Sequence, residues 1–158
     1  MTMFQRLAHK TQGMLLIALL SSGAAVNASS GDAEAGQVKA ATCVACHGVD
    51  GNSAVPAFPK LAGLGHKYLL KQMQDIRDGR RPVALMAGQV DNMSDEDLSD
   101  IAAFYDAQPR SGGMSDPDKV ALGKKVYLAG IADRQVPACS GCHSPTGNGN
   151  SLAGYPSL

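Results

Sequence analysis

Cys43-Val44-Ala45-Cys46-His47 and Cys139-Ser140-Gly141-Cys142-His143 place every cysteine of the chain in two copies of one pattern, Cys-x-x-Cys-His. This is the pattern of covalent c-type haem attachment. Two thiols spaced by two residues on one helical turn add to the two vinyl groups of the ring, and the adjoining imidazole reaches the iron from the same side. Rival uses of the cysteines fit the spacing poorly. Paired zinc knuckles lie about 15 to 20 residues apart, whereas these pairs are separated by 96 positions. A thioredoxin-like redox motif needs a βαβ setting, and no strand-rich segment is present. Disulfides between neighbours two residues apart would be strained. Composition agrees with a core filled by something other than side chains: aromatic residues make up 4% of the chain, three Phe and four Tyr with no Trp.

Residues 1–28 are set aside from the fold. Arg6, His9 and Lys10 precede the apolar run Met14-Leu15-Leu16-Ile17-Ala18-Leu19-Leu20, and small residues lead to Val26-Asn27-Ala28. This order matches a secretory signal peptide cleaved near Ala28, and the apolar run is too short to span a bilayer. The remaining 130 residues carry 12 basic and 14 acidic side chains. Export would place the cysteines where disulfides are the default, which the haem spacing overrides. The full chain has 14 Lys and Arg against 14 Asp and Glu, a balance that argues against a nucleic-acid partner.

The motif sits in a longer internal repeat. Gly51-Asn52 and Phe58-Pro59-Lys60-Leu61 follow the first histidine, and Gly147-Asn148 and Tyr155-Pro156-Ser157-Leu158 follow the second. Two related haem-binding units are expected, residues 29–110 and residues 111–158. In the first, Asp32 as N-cap and Glu34 in the first turn predict a helix from Ala33 into the motif. A second helix is predicted over His66 to Asp78, with Leu69, Leu70, Met73 and Ile76 on one face and Lys67, Lys71, Asp75 and Asp78 on a solvated one. Ser94 and Asp97 approximate a capping box for a third helix that reaches Gln108 and ends before Pro109. Arg110 to Asp116 reads as a linker. Asp116 and Pro117 open a fourth helix through Val120, Ala121, Lys124 and Tyr127. No alternating strand is found, so the expected class is all-α.

A haem iron that only carries electrons takes a second axial ligand, and methionine there raises the potential. Met73 lies on an apolar helix face, and Met93, before the cap Ser94, pairs with Leu98 as a hydrophobic staple. Met86, in the non-periodic stretch Arg81 to Gly88, has no such task and is the preferred candidate. Arg80 and Arg81 have the geometry to pair with haem propionates, but an exposed loop pair is the plainer expectation.

These residues resemble the dihaem cytochrome c4 family of bacterial periplasms. The resemblance rests on Cys43 to Gly48, Asp50-Gly51-Asn52-Ser53, Phe58 to Gly63, Tyr68 to Met73, Leu85-Met86 and Cys139 to Pro145, and it runs from about Gly31 to Leu158. It implies cytochrome c-like helical domains, His47 and Met86 as ligands of the first iron, and the Pro59 carbonyl holding the ring N–H of His47. It also implies that Gly36 lets the first helix pack close to the helix of Phe104 and Tyr105. The second unit departs from the family pattern: it reaches Leu158, the counterpart of Leu61, no Met follows Cys139, and Met114 lies upstream of the motif. It is expected to be incomplete and the less stable half, since about 48 residues approach the size that needs a metal or cross-link.

The expected cofactors are two covalent haem c groups. Cys43, Cys46, Cys139 and Cys142 tether them, and His47, Met86 and His143 are iron ligands. The expected function is a periplasmic one-electron carrier in a respiratory chain, not an enzyme, with no catalytic residue and no stable membrane insertion. Its partners would be redox proteins such as membrane-bound oxidase or reductase complexes, with docking of modest salt dependence. The alternative is the cytochrome subunit of a dehydrogenase complex such as a flavocytochrome. A third reading leaves the second iron open to a small ligand.

Overall fold

The computed structural model describes residues 31–158, so the signal-peptide expectation lies outside the described residues. The fold is all-α, as the sequence predicts. Helix α1 spans Ala33–Lys39 and passes through a 3-10 turn at Ala40–Thr42 into α2, Val44–His47. Helix α3 covers His66–Arg77, a 3-10 turn lies at Ala84–Met86, and α4 covers Asp95–Asp106. Helix α5 covers Pro117–Ala129 and α6 Ser140–His143, with 3-10 turns at Ala132–Arg134 and Ser151–Ala153. The extended pairing that occurs among the described residues is two isolated bridges, Ile131 with Val136 and Asn150 with Tyr155.

The helix starts follow from their caps. Asp32 accepts from the backbone N–H groups of Glu34 and Ala35 at 2.9 and 3.1 Å, which satisfies donors that an open helix end leaves free. Ser94 and Asp97 form a complete capping box, each side chain taking the other's backbone N–H, and Asp116 caps α5 with Pro117 in the first turn. The first predicted helix is thus broken into two by the 3-10 turn. The third ends at Asp106, with Ala107 as its C-cap, before Pro109 is reached.

The first unit closes by packing α1 on α4. Gly36 makes the approach possible: a Cβ there would stand 1.9 Å from the Asp100 carbonyl oxygen. Asp100, 5% exposed, secures the same crossing. Its carboxylate accepts from the Asp32 N–H at 2.7 Å and pairs with Lys39 Nζ at 2.6 Å. Both bonds hold the charged form, so the Asp100 carboxyl is pushed below the usual carboxylate range, chiefly by the Asp32 N–H and then by Lys39. Ala40, Leu69, Ile101, Ala102, Phe104 and Tyr105 form the core, with Met73 and Met93 packed against it.

The face of α3 expected to be solvated is not uniform. Asp75 is buried, at 9% exposure, and pairs with Lys71 and with Arg80 Nε, the latter at 2.8 Å. Its reach toward Arg80 follows from the chain turning back after Asp78, which periodicity alone does not register.

Residues 107–158 contain no buried side chain. Val120, Leu122, Leu128 and Leu152 are all exposed, and a Cβ on Gly123 of α5 would meet open space. This half repeats the helix before the motif and the motif turn of its counterpart but has no core of its own among the described residues. None of the described helices is long and apolar enough to cross a membrane.

Candidate functional site

Helix α2 is one turn long, and that turn presents Cys43, Cys46 and His47 together. It ends at Gly48, whose φ of +83° and ψ of 159° lie in a region open essentially to glycine. The chain turns there, and Gly51 O accepts from the N–H groups of Leu61 and Ala62 at 2.7 and 3.2 Å. That clasp places Pro59 beside the histidine: its carbonyl oxygen lies 2.8 Å from His47 Nδ1. A carbonyl only accepts, so Nδ1 carries the proton and donates, leaving Nε2 with a free lone pair. Phe58 meets the imidazole edge-on, with ring centroids 6.4 Å apart. The ring is 7% exposed and has little freedom to rotate.

His47 opens onto a cleft of about 440 Å³. Cys43 and Cys46, the apolar Leu64, Leu69 and Ile101, and both Met73 and Met86 are among its lining residues. The 3-10 turn at Ala84–Met86 carries Met86, and Leu85 beside it is 71% exposed. Met73 therefore both packs on the core and reaches the cleft, while Met93 packs on the core alone. Tyr105 lines the cleft with a buried hydroxyl that has no hydrogen-bond partner, and burial pushes its pKa up. A mostly apolar slot with one unmet polar atom, two thiols and a free imidazole lone pair suits a large apolar ring that carries a metal and a few polar groups. The residues fit a haem. Among the described residues no three His, Cys, Asp or Glu gather to hold an ion.

The two arginines with propionate-pairing geometry separate. Arg80 is committed to Asp75 and Asp78, each at 2.8 Å. Arg81 lines the cleft and donates to Gln72 Oε1 at 2.9 Å.

The second motif repeats the first in outline. Helix α6 presents Cys139, Cys142 and His143, His143 Nδ1 donates to the Pro156 carbonyl at 2.9 Å, and Tyr155 takes the edge-on place of Phe58 at 5.9 Å. The repeat in sequence could have assigned Pro156 this role. Two differences matter. Ser144 follows His143 with φ +66° and ψ 158°, the glycine-favouring conformation of Gly48, and the described residues supply no methionine downstream of Cys139.

The sequence profile of the cytochrome c family matches residues 33–106. A solved crystal structure of reduced cytochrome c4 from Pseudomonas stutzeri superposes with a TM-score of 0.78 at 53% identity, covering 81% of this chain and 72% of that one. The chain belongs to the cytochrome c4 family. Cytochrome c4 of Pseudomonas aeruginosa is 56% identical over 130 residues, 82% of this chain and 65% of the relative. A thiosulfate dehydrogenase electron acceptor of Stutzerimonas stutzeri is 34% identical over 129 residues, 75% of this chain and 56% of that protein. The chain thus spans just under two thirds of the length of the cytochrome c4 from P. aeruginosa. As in other c-type cytochromes, the cofactor is covalently bound haem c with its iron.

Proposed function

We propose that this chain is an exported dihaem c-type cytochrome that carries single electrons in the periplasm between membrane-bound respiratory complexes. The observation that supports it best is the cleft shared by His47 and Met86, with the imidazole already held in the tautomer that leaves Nε2 for a metal. Haem, when bound, supplies an iron that takes up and returns one electron. Cys43 and Cys46 tether the ring. His47 would hold the iron through Nε2, and Pro59 fixes the imidazole plane and raises its basicity. Met86 would be the second residue to hold the iron, where a thioether raises the potential, and no residue is given a catalytic role. Cys139, Cys142 and His143 hold the second haem. Residues 1–28 direct export and are removed near Ala28. Redox proteins such as membrane-bound oxidases or reductases dock at the cleft mouth, where Leu85 is exposed.

Met86→Ala tests the ligand. It should shift the haem spectrum and lower the potential, whereas Met73→Leu should leave both near the wild-type values. An unchanged spectrum in Met86→Ala, or a change confined to Met73→Leu, would remove Met86 from the site. A second reading, the electron-accepting subunit of a dehydrogenase, is favoured by the similarity to the thiosulfate dehydrogenase electron acceptor. Stable co-purification with a dehydrogenase chain would select it.

A further inference from the structure

The two loops that hold the histidines touch each other. In the first unit Pro59, the acceptor of His47, opens a short segment that ends at Gly63. In the second, Pro156 accepts from His143 and is followed by Ser157. Ser157 Oγ donates to the Gly63 carbonyl at 2.5 Å, across 94 positions of sequence. Arg110 grips the same residue from the other side, Nη1 lying 2.5 Å from the Ser157 carbonyl and 3.1 Å from its Oγ. Lys60, the residue after Pro59, is equally engaged: its Nζ donates to Ser111 Oγ at 2.7 Å and to the Gly112 carbonyl at 2.9 Å. In both units, then, the residue directly after the histidine-holding proline is tied beyond its own loop.

The loops have little slack to absorb a displacement. Besides the clasp on Gly51, the Gly63 N–H donates to the Tyr105 carbonyl at 2.9 Å, and the Leu158 N–H donates to the Gly147 carbonyl at 2.8 Å. A movement at Gly63 is therefore passed along Ala62, Leu61 and Lys60 to the Pro59 carbonyl, and a movement at Ser157 reaches Pro156 within one peptide. A carbonyl that accepts from a metal-bound imidazole sets that ligand's basicity, and the potential of a haem iron follows its ligands and their hydrogen bonds.

We infer that Ser157 is a positioning residue that couples the two haem environments, joining the Pro59–His47 bond to the Pro156–His143 bond through the Gly63 carbonyl. The inference rests on the reading that both motifs carry haem. Ser157 lies outside the cleft of the first unit, so a merely local role would leave that unit's potential untouched.

The experiment uses the full haem-loaded chain. Haem is counted per polypeptide, and wild type, Ser157→Ala, Ser157→Thr and Arg110→Gln are titrated by visible spectroscopy. The first-unit wave is identified as the one that Met86→Ala displaces. Loss of the Ser157 hydroxyl should relax the 59–63 segment, lengthen the Pro59–His47 bond and shift the first-unit midpoint upward. Ser157→Thr, which keeps the hydroxyl, should restore it, and Arg110→Gln should move it in the same direction as Ser157→Ala. Two haems per chain with an unmoved first-unit midpoint in Ser157→Ala overturn the coupling while leaving the electron-carrier reading intact. So does a shift that Ser157→Thr does not reverse. One haem per chain overturns the inference together with the reading beneath it.

Discussion

Two glycines, each on the first helix of its unit, predict opposite outcomes for one substitution. In Gly36→Ala the new methyl would lie 1.9 Å from the Asp100 carbonyl oxygen and 2.4 Å from its carbon, well inside any tolerable contact. Both partners are helix backbone, so α1 must move away from α4. Overpacking of this kind costs about 1–3 kcal/mol. The displacement also weakens the 2.7 Å bond from the Asp32 N–H to Asp100, worth about 1 kcal/mol, while the partly exposed Lys39 pair adds little. Against this, alanine is the better helix former by about 1 kcal/mol. The net expectation is a loss of about 1–3 kcal/mol. Gly123→Ala on α5 meets nothing within 4 Å and should gain up to about 1 kcal/mol of helix stability from propensity alone. Guanidinium unfolding of the haem-loaded protein, followed by far-ultraviolet circular dichroism, measures both. A Gly36→Ala variant as stable as wild type, or two substitutions acting with the same sign, would refute the close crossing of α1 and α4.

Acid should loosen the same crossing. The folded-state pKa values of Asp97 and Asp100 are held below the ordinary value, Asp97 chiefly by Lys39 and Asp100 chiefly by the Asp32 N–H. Their contribution is complete above an unfolded pKa of about 4 and is lost as pH falls through the lower folded values. The melting temperature should therefore drop steeply only below that point, and Asp100→Asn should flatten the acid limb; an identical limb in the variant refutes the assignment. Gly48→Ala has space, its nearest contacts beginning at 3.5 Å, but must adopt φ +83°. It should cost about 1–3 kcal/mol in denaturant titration, and an unchanged midpoint would contradict the turn. Amide exchange should be slower in residues 31–106 than in residues 111–158, which lack buried side chains; faster exchange in the first unit would reverse the ranking of the two halves.

The parts of this molecule that were legible in the sequence are those set by neighbours in the chain. Asp32, Ser94 with Asp97, and Asp116 announce helix starts because a cap needs only its own next three residues, and Cys-x-x-Cys-His is complete within five positions. The acceptor of His143 was equally readable, since Tyr155-Pro156 repeats Phe58-Pro59. Burial of Asp75 was not: its partner Arg80 comes within reach only after the chain reverses beyond α3. Arg110 looked like the start of a free linker, yet it holds Ser157, 47 positions away. The lack of buried residues in the second half was hidden as well, because apolar residues such as Val120 and Leu128 look the same in sequence whether or not anything covers them.

The crossing of α1 and α4 also closes a long loop. Asp32 and Asp100 are 68 positions apart, and His47, the Pro59 clasp and Met86 all lie between them in the chain. Closing so long a loop is among the slow steps of folding a small helical unit. Until it closes, the Cys43–His47 turn stands on an open chain with the cleft unroofed. A ring attached at that stage becomes apolar surface on which Leu69, Ile101 and Tyr105 can collapse. Tethering would then precede closure, and the covalent cofactor would act as the nucleus on which the first unit folds.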